Sequence, residues 1–422
     1  MSKKRITGFV LLGTLAACLS FAPSTAMRCP LARNLVAIRA GHLVDVARGA
    51  IVKNVVILID GEKITAVGPG LAIPAGAAVI DLGNVTALPG LIDVHTHITY
   101  HFDPTGHFGS LPELRPSYTA LYAAENARLA IEAGYTTIRN LGAADLVDLD
   151  LRDAIERGEV PGPRIVTAGL GLTPGMIPAS GDAESRLSFI REFVRNRLKE
   201  HCDVIKIFEG INRKGEPAFS EAEVRAAVEE AAGGGRLVAV HAHEAACIKA
   251  AVRGGCASIE HGSFLDDEAI SLMREHHVAL VPTLYLPTHY LEHKSQFSFG
   301  DSTWEFFEKL RSGNLENTRR AKKAGVWIVA GSDAVAGLHG QNARELEWLV
   351  KAGLTPAEAI RAATIDAAAL LRLSDQVGEI KEGKQADIIG VQGDPTADIT
   401  ALQRVRFVMK RGSVIKKAET GS

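Results

Sequence analysis

Cysteine is scarce in this chain of 422 residues: there are five, Cys18, Cys29, Cys202, Cys247 and Cys256, and no two form a CxxC pair. That spacing excludes a thiolate zinc site and a disulfide-stapled scaffold. Blocks of Lys or Arg are missing outside the extreme N-terminus, and 47 basic residues nearly balance 49 acidic ones. The electrostatic footprint of a nucleic-acid binder is therefore absent. Aromatic residues are few, 5% of the chain, while 46% are hydrophobic and 23% charged. Such a composition excludes a largely disordered chain. Apolar runs long enough to span a bilayer are also lacking. What is plentiful is histidine, 14 in all, and the placement of those residues carries most of the reading.

Lys3, Lys4 and Arg5 precede an apolar stretch from Gly8 to Ala22, and Ser24-Thr25-Ala26 fits a small-x-small cleavage site. Residues 1–26 therefore read as an export signal, and the stretch is too short and too early for a transmembrane helix. Leu15-Ala16-Ala17-Cys18 offers a second reading, a lipoprotein box that would anchor the chain through a lipid on Cys18. Both readings predict an exported protein, periplasmic or secreted.

Short β runs separated by turns fill the stretch from Asn34 to Leu88, with Asp60-Gly61 as a tight hairpin turn. The same texture returns in Ala386–Val391, Val405–Met409 and Ser413–Ile415. Residues 27–88 and 375–422 are expected to form one small β-sandwich domain from both chain ends. Between them, over 89–374, apolar runs alternate with amphipathic helices. Eight such runs end near His97, Gly142, Leu170, Phe208, His243, Gly262, Leu284 and Asp333. Eight β/α units predict an α/β fold, a closed (β/α)8 TIM barrel, with its chemistry at the C-terminal ends of the strands.

Polar residues collect at those ends. His95 and His97 close the first run two residues apart, so both imidazoles face the same way on a strand. Lys206 sits inside Val204-Ile205-Lys206-Ile207-Phe208, where a Lys is costly unless neutralised or used. His241 ends the fifth run, His261 the sixth and Asp333 the eighth. Each alone is weak evidence, but six metal-competent groups at strand ends form a pattern.

These residues resemble the amidohydrolase superfamily over nearly the whole mature chain. The nearest resemblance is to its binuclear imidazolonepropionase-like peptidases, which include Xaa-Pro dipeptidases, carboxypeptidases and amidohydrolases that hydrolyse the amide of ochratoxin A. Gly340–Glu347 and Ala386-Asp387-Ile388 also resemble late segments of that group. The resemblance implies two divalent metal ions, with zinc the usual ion for such N/O ligands. It assigns His95, His97 and Asp333 to the first ion, and His241 and His261 to the second. Lys206, carboxylated by CO2, would bridge them. Two cations would acidify a shared water, one would polarise the scissile carbonyl, and Asp333 would carry the proton to the leaving amine. A homo-oligomer is implied by the same analogy.

The substrate implied is a small-molecule amide or peptide with a free C-terminal carboxylate. His243 of His241-Ala242-His243 stands where the group contacts that carboxylate. The third-strand loop, Thr173–Asp182, lacks the His that the group usually supplies there, which leaves His289, Arg213 or Lys214 as substitutes. Seven aromatics in the loop expected from Tyr285 to Phe307, with Tyr100 from the first loop, suggest an aromatic-walled pocket for a bulky substrate. Tyr285, His289 and Tyr100 are thus candidate substrate contacts. Two alternatives stand beside this reading. Glu244, in an HxxE spacing after His241, could serve a mononuclear imidazolonepropionase-like, deaminase-like or lactonase hydrolase, although a carboxylate in a helix's first turn is the plainer explanation. A non-catalytic amidohydrolase-like scaffold is the other.

Overall fold

The computed structural model describes residues 35–100, 115–178, 182–335 and 337–417. The sequence-predicted export signal, Cys18 and Cys29 lie outside the described residues. β1 (Leu35–Asp45) and β2 (Ala50–Asp60) pair antiparallel, and β2 turns back into β3 (Lys63–Pro69). Asp60 pairs with Lys63, so the turn is Gly61-Glu62, one residue later than the sequence suggests. Gly61 takes φ 59° there, which costs a residue without Cβ nothing. β4 (Ala78–Asp81) and β5 (Val85–Pro89) both run parallel to β1.

The next strands are β6 (Leu91–Thr96), β7 (Tyr135–Asn140), β8 (Arg164–Thr167), β9 (Val204–Phe208), β10 (Leu237–Glu244), β11 (Ser258–Phe264) and β12 (Ala279–Val281). All their pairings are parallel, β6-β7-β8 in one sheet and β9-β10-β11-β12 in another. Parallel bridges extend both sheets: Leu172 with Ile207, Leu280 with Ile328, and Thr96 with Ala334. The eighth apolar run is not a regular strand. It still receives backbone hydrogen bonds from β6, with Val94 N donating to Ala330 O at 3.1 Å and His97 N to Ala334 O at 3.1 Å. Its irregularity has a local cause. Asp333 sits at φ 54°, and Gly331 packs so closely that a Cβ would lie 2.8 Å from that of His95.

Helices cover the outside of these strands. They are α1 (Pro116–Glu132), α2 (Val147–Glu156), α3 (Ala183–Lys199), α4 (Glu221–Gly233), α5 (Ala245–Gly254), α6 (Asp267–Glu275), α7 (Tyr285–Glu292), α8 (Asp301–Lys323), α9 (Arg344–Lys351), α10 (Pro356–Ala362) and α11 (Ile365–Leu370). Several starts are written in the sequence. α4 and α10 open with capping boxes, Ser220 with Glu223 and Thr355 with Glu358. Asp182 and Asp266 cap α3 and α6. Ile205, Ile207, Val238, Val240 and Ile259 pack outward against these helices. Period-two alternation therefore turns Lys206 and His241 inward.

The chain then returns to the first sheet through β13 (Ile388–Gln392), β14 (Val405–Lys410) and β15 (Ser413–Lys416). The order is β15-β14-β13-β5-β1-β2-β3, with β4 also on β1. Both chain ends thus share one hydrogen-bonded sheet rather than two separate ones. The length of β1 is the reason: Val36–Arg39 pairs with β4 and His42-Leu43 with β5. Among the described residues, Cys202, Cys247 and Cys256 are free and buried. Among the described residues no helix is long and apolar enough to cross a membrane.

Candidate metal centre and active site

The inward side chains at the ends of β6, β9, β10, β11 and the eighth run converge. His95 and His97 rings lie 5.4 Å apart between centroids, and His95 lies 5.1 Å from His261. His241 and His261 are separated by 4.4 Å. Asp333 Oδ1 stands 3.4 Å from Nε2 of both His95 and His97. One ligand atom each from His95, His261 and Asp333 fits within 4.8 Å of the others, and the same holds for His241, His243 and His261. Lys206 is fully buried beside them, its ammonium 5.0 Å from the Phe208 ring centroid. All six sequence-predicted ligands are therefore in one place.

Electrostatics make these groups available to a cation. Burial, aided by the charge of Lys206, pushes His95 down to about 4, and burial holds His97, His241 and His261 well below the usual imidazole range. All four are neutral at pH 7 and carry a free lone pair. Burial likewise depresses Lys206 and raises Asp333. Among the described residues, His95 Nε2, His97 Nδ1 and Lys206 Nζ are buried without a hydrogen-bond partner. Such orphans are rare in folded proteins and call for a ligand. A donor set of neutral imidazoles with a carboxylate and an amine suits a divalent ion such as zinc.

Several supporting residues escaped sequence reasoning. Glu260, fully buried, takes His95 Nδ1 at 2.8 Å and Arg139 Nη2 at 2.9 Å. Burial would raise its carboxyl, but Arg139 and His95 outweigh that and hold it at about 2. Thr283 Oγ1 lies 2.7 Å from His261 Nδ1, and Ser263 Oγ 2.6 Å from His243 Nδ1. Asp93 accepts from the backbone N–H of His95 at 3.1 Å and of Ser332 at 2.9 Å. The one sequence signal for Glu260 was its place beside His261. Backbone conformation gave another sign after the fact, since His261, Thr283 and Asp333 all have positive φ, 74°, 48° and 54°. Such strain in non-glycine residues gathers at functional sites.

A cavity of about 460 Å³ opens onto His97, His241, His243, His261 and Asp333. Its walls are apolar, made by Leu286, Tyr290, Phe299, Phe306 and Phe307. Tyr100 joins them, stacked on His97 at 4.4 Å. The segment from Tyr285 to Phe307 is not a loop but the α7–α8 hairpin. Its aromatics pack on one another, with Tyr290 and Phe307 stacked at 4.7 Å.

Two expected contacts do not face the cavity. Tyr285 is buried at the root of α7, donating its hydroxyl to Glu292 at 3.0 Å beneath the guanidinium of Arg344. His289 lies on the buried side of the same helix, 4.5 Å from His293 between centroids. The helical turn explains both, because it directs Leu286 and Tyr290 to the cavity and carries Tyr285 and His289 away. Arg213 and Lys214 are exposed, and neither they nor Glu244 line the cavity. Glu244 is the N-cap residue of α5, without a side-chain cap bond.

A parallel α/β scaffold that gathers His and Asp side chains at its strand ends forms a candidate metal site. Residues 86–415 match the amidohydrolase family, and the chain belongs to it. Among characterised relatives it is 30% identical over 422 residues to ochratoxinase of Aspergillus niger, covering 90% of this chain and 86% of that one. It is 28% identical to an imidazolonepropionase of Anaeromyxobacter dehalogenans, covering 87% and 91%. Among solved structures it is similar to a Xaa-Pro dipeptidase with methionine bound in the active site. That match has TM-score 0.82 and 33% identity, covering 90% of this chain and all of that one.

Proposed function

We propose that this protein is an exported hydrolase with two divalent cations that cleaves the amide bond of a dipeptide or N-acyl amino acid whose amine side carries a free carboxylate. The observation that carries the reading is Asp333 Oδ1, 3.4 Å from Nε2 of both His95 and His97 on the floor of an apolar cavity. His95, His97 and Asp333 would hold one ion, His241 and His261 the other, with Lys206 shared. The bridges at Leu172, Leu280 and Thr96 support a barrel closed through the eighth run.

Cations bound there supply Lewis acidity toward the scissile carbonyl and toward water. The chain's own groups do the rest. Asp333, which lines the cavity 3.4 Å from Nε2 of both His95 and His97, would take a proton from the attacking water and hand it to the leaving nitrogen as the C–N bond breaks. Burial depresses Lys206, which favours the neutral amine that adds CO2 and loses a proton to become a carbamate. A Ser263 hydroxyl donating to His243 Nδ1 would leave Nε2–H to donate to a substrate carboxylate. The aromatic wall suits a bulky apolar side chain. The bound methionine of the Xaa-Pro dipeptidase and the activity named for ochratoxinase support a substrate with an apolar amino-acid side.

The test is a hydrolysis screen of N-acyl amino acids, dipeptides and ochratoxin A with cation-loaded protein, each substrate also supplied as its methyl ester. Cleavage abolished by chelation and steeply reduced by esterification is the expected result, because a donor left unpaired in a buried site costs affinity. Equal cleavage of acid and ester would remove the carboxylate requirement. No amide cleavage with any substrate would remove the reaction class.

A further inference from the structure

The segment Gly340–Glu347 lines no part of the cavity, yet two of its side chains are fully buried and polar. Asn342 is 1% exposed and Glu345 is 1% exposed. Asn342 precedes α9 and Glu345 lies in its first turn, three residues on, so both can point into the protein from one short stretch.

Asn342 Nδ2 donates to Asp93 Oδ2 at 2.7 Å and to Ser332 Oγ at 3.2 Å. Its own Oδ1 is occupied by Gly340 N at 3.0 Å, which fixes the amide's orientation. The Asp93 carboxylate it holds accepts the backbone N–H of His95 and of Ser332, the neighbour of Asp333. That carboxylate thus adds a side-chain tie between the end of β6 and the irregular eighth run, beside the backbone bond that Asp333 N donates to His95 O at 2.7 Å.

Glu345 faces the other way. Its two oxygens accept the backbone N–H of Leu284 at 2.9 Å and of Tyr285 at 2.8 Å. Those residues follow Thr283, which is held at φ 48°, a strained conformation for a β-branched residue. Thr283 Oγ1 in turn meets His261 Nδ1 at 2.7 Å.

We infer that Asn342 and Glu345 are positioning residues for opposite halves of the metal centre. Asn342 sets His95 and Asp333 through Asp93, and Glu345 sets His261 through the strained turn at Thr283. The inference rests on the two-cation reading above. Partners that orient ligands usually change cation affinity by about 10- to 100-fold when removed. Here the two residues are assigned to different ions, which a general loss of stability would not imitate.

The test titrates cation-free protein with Co2+ alone, following its visible absorption, with chelator competition to separate the two steps. Glu345→Gln and Thr283→Ala should weaken one step at least tenfold and leave the other unmoved, and Thr283→Ser should restore it. Asn342→Ala should weaken the opposite step. Thermal unfolding of each variant gives the structural control, and the Thr283 pair carries the test if Glu345→Gln does not fold. Both steps falling together in every variant, or neither moving, overturns the inference. Wild-type protein that takes up no Co2+ overturns the metal reading itself, a distinct outcome.

Discussion

Glu260 Oε2 accepts a hydrogen bond from His95 Nδ1 at 2.8 Å, and this contact decides which nitrogen of His95 faces the centre. The carboxylate is held at about 2 despite its burial, by Arg139 and His95, so it can only accept. His95 must therefore carry its proton on Nδ1 and present an unprotonated Nε2 beside Asp333. Glu260→Gln keeps the shape and removes the charge. It should weaken the affinity for the cation at His95 by about 10- to 100-fold. It should also lower the melting temperature, since it leaves Arg139 buried without its anion, which costs about 3–5 kcal/mol. Chelator competition reads the first effect. Affinity equal to wild type would show that His95 keeps its tautomer without Glu260.

Phe306 is 38% exposed, yet its ring meets His243 edge-on at 5.7 Å and lines the cavity. An exposed ring adds little to the core, so Phe306→Ala should leave the melting temperature within a few degrees of wild type. Its loss should be felt by the substrate. An aromatic contact contributes about 0.5–1.5 kcal/mol, so KM for an N-acyl phenylalanine should rise by up to about tenfold. N-acyl alanine, with no ring to meet it, should change far less. Equal losses on both substrates would argue that Phe306 shapes the hairpin rather than the specificity.

The cluster of candidate ligands was legible because it obeys strand arithmetic. His95 and His97 are two apart at the end of β6, and Lys206 interrupts an apolar run that otherwise reads as a buried parallel strand. The partners of those ligands were not legible. Glu260 lies 165 residues from His95, Asp93 239 from Ser332 and Glu345 61 from Leu284, and single-sequence periodicity says nothing about contacts at such distances. The aromatic segment failed differently. Its composition pointed to the cavity correctly, but a loop reading has no phase, and only the turn of α7 separates Tyr290 from Tyr285.

The depressed amine of Lys206 and the raised carboxyl of Asp333 imply a pH dependence of cation uptake. Protons and cations compete for the same atoms. Burial makes Asp333 hold its proton to higher pH than an ordinary carboxyl, and Lys206 must also lose a proton before it can bind or be carboxylated. His95, held near 4, and the other ligand histidines are already neutral above pH 6.5 and add no dependence there. Affinity should therefore rise from pH 6.5 to pH 9, and rise further with bicarbonate in wild type but not in Lys206→Ala. Isotherms that superimpose across that range would place the competing protons elsewhere.

Asp333→Asn tests the proton path most directly. The amide keeps one oxygen beside His95 and His97 and nearly the same volume, so the fold should persist and cation binding should weaken only in part. What the amide cannot do is accept the proton of the attacking water, nor return one to the leaving nitrogen. General acid–base groups contribute about 10²- to 10⁴-fold in rate, so kcat should fall by that amount. KM should stay near wild type, because Asp333 lies on the cavity floor and the apolar walls that hold the substrate are untouched. The loss should be greatest for amides, whose nitrogen must be protonated to depart, and smaller for an activated aryl ester that leaves as an anion. A variant that keeps wild-type kcat on the amide with its cations bound removes Asp333 from the proton path, and the search for the base would then move to His243.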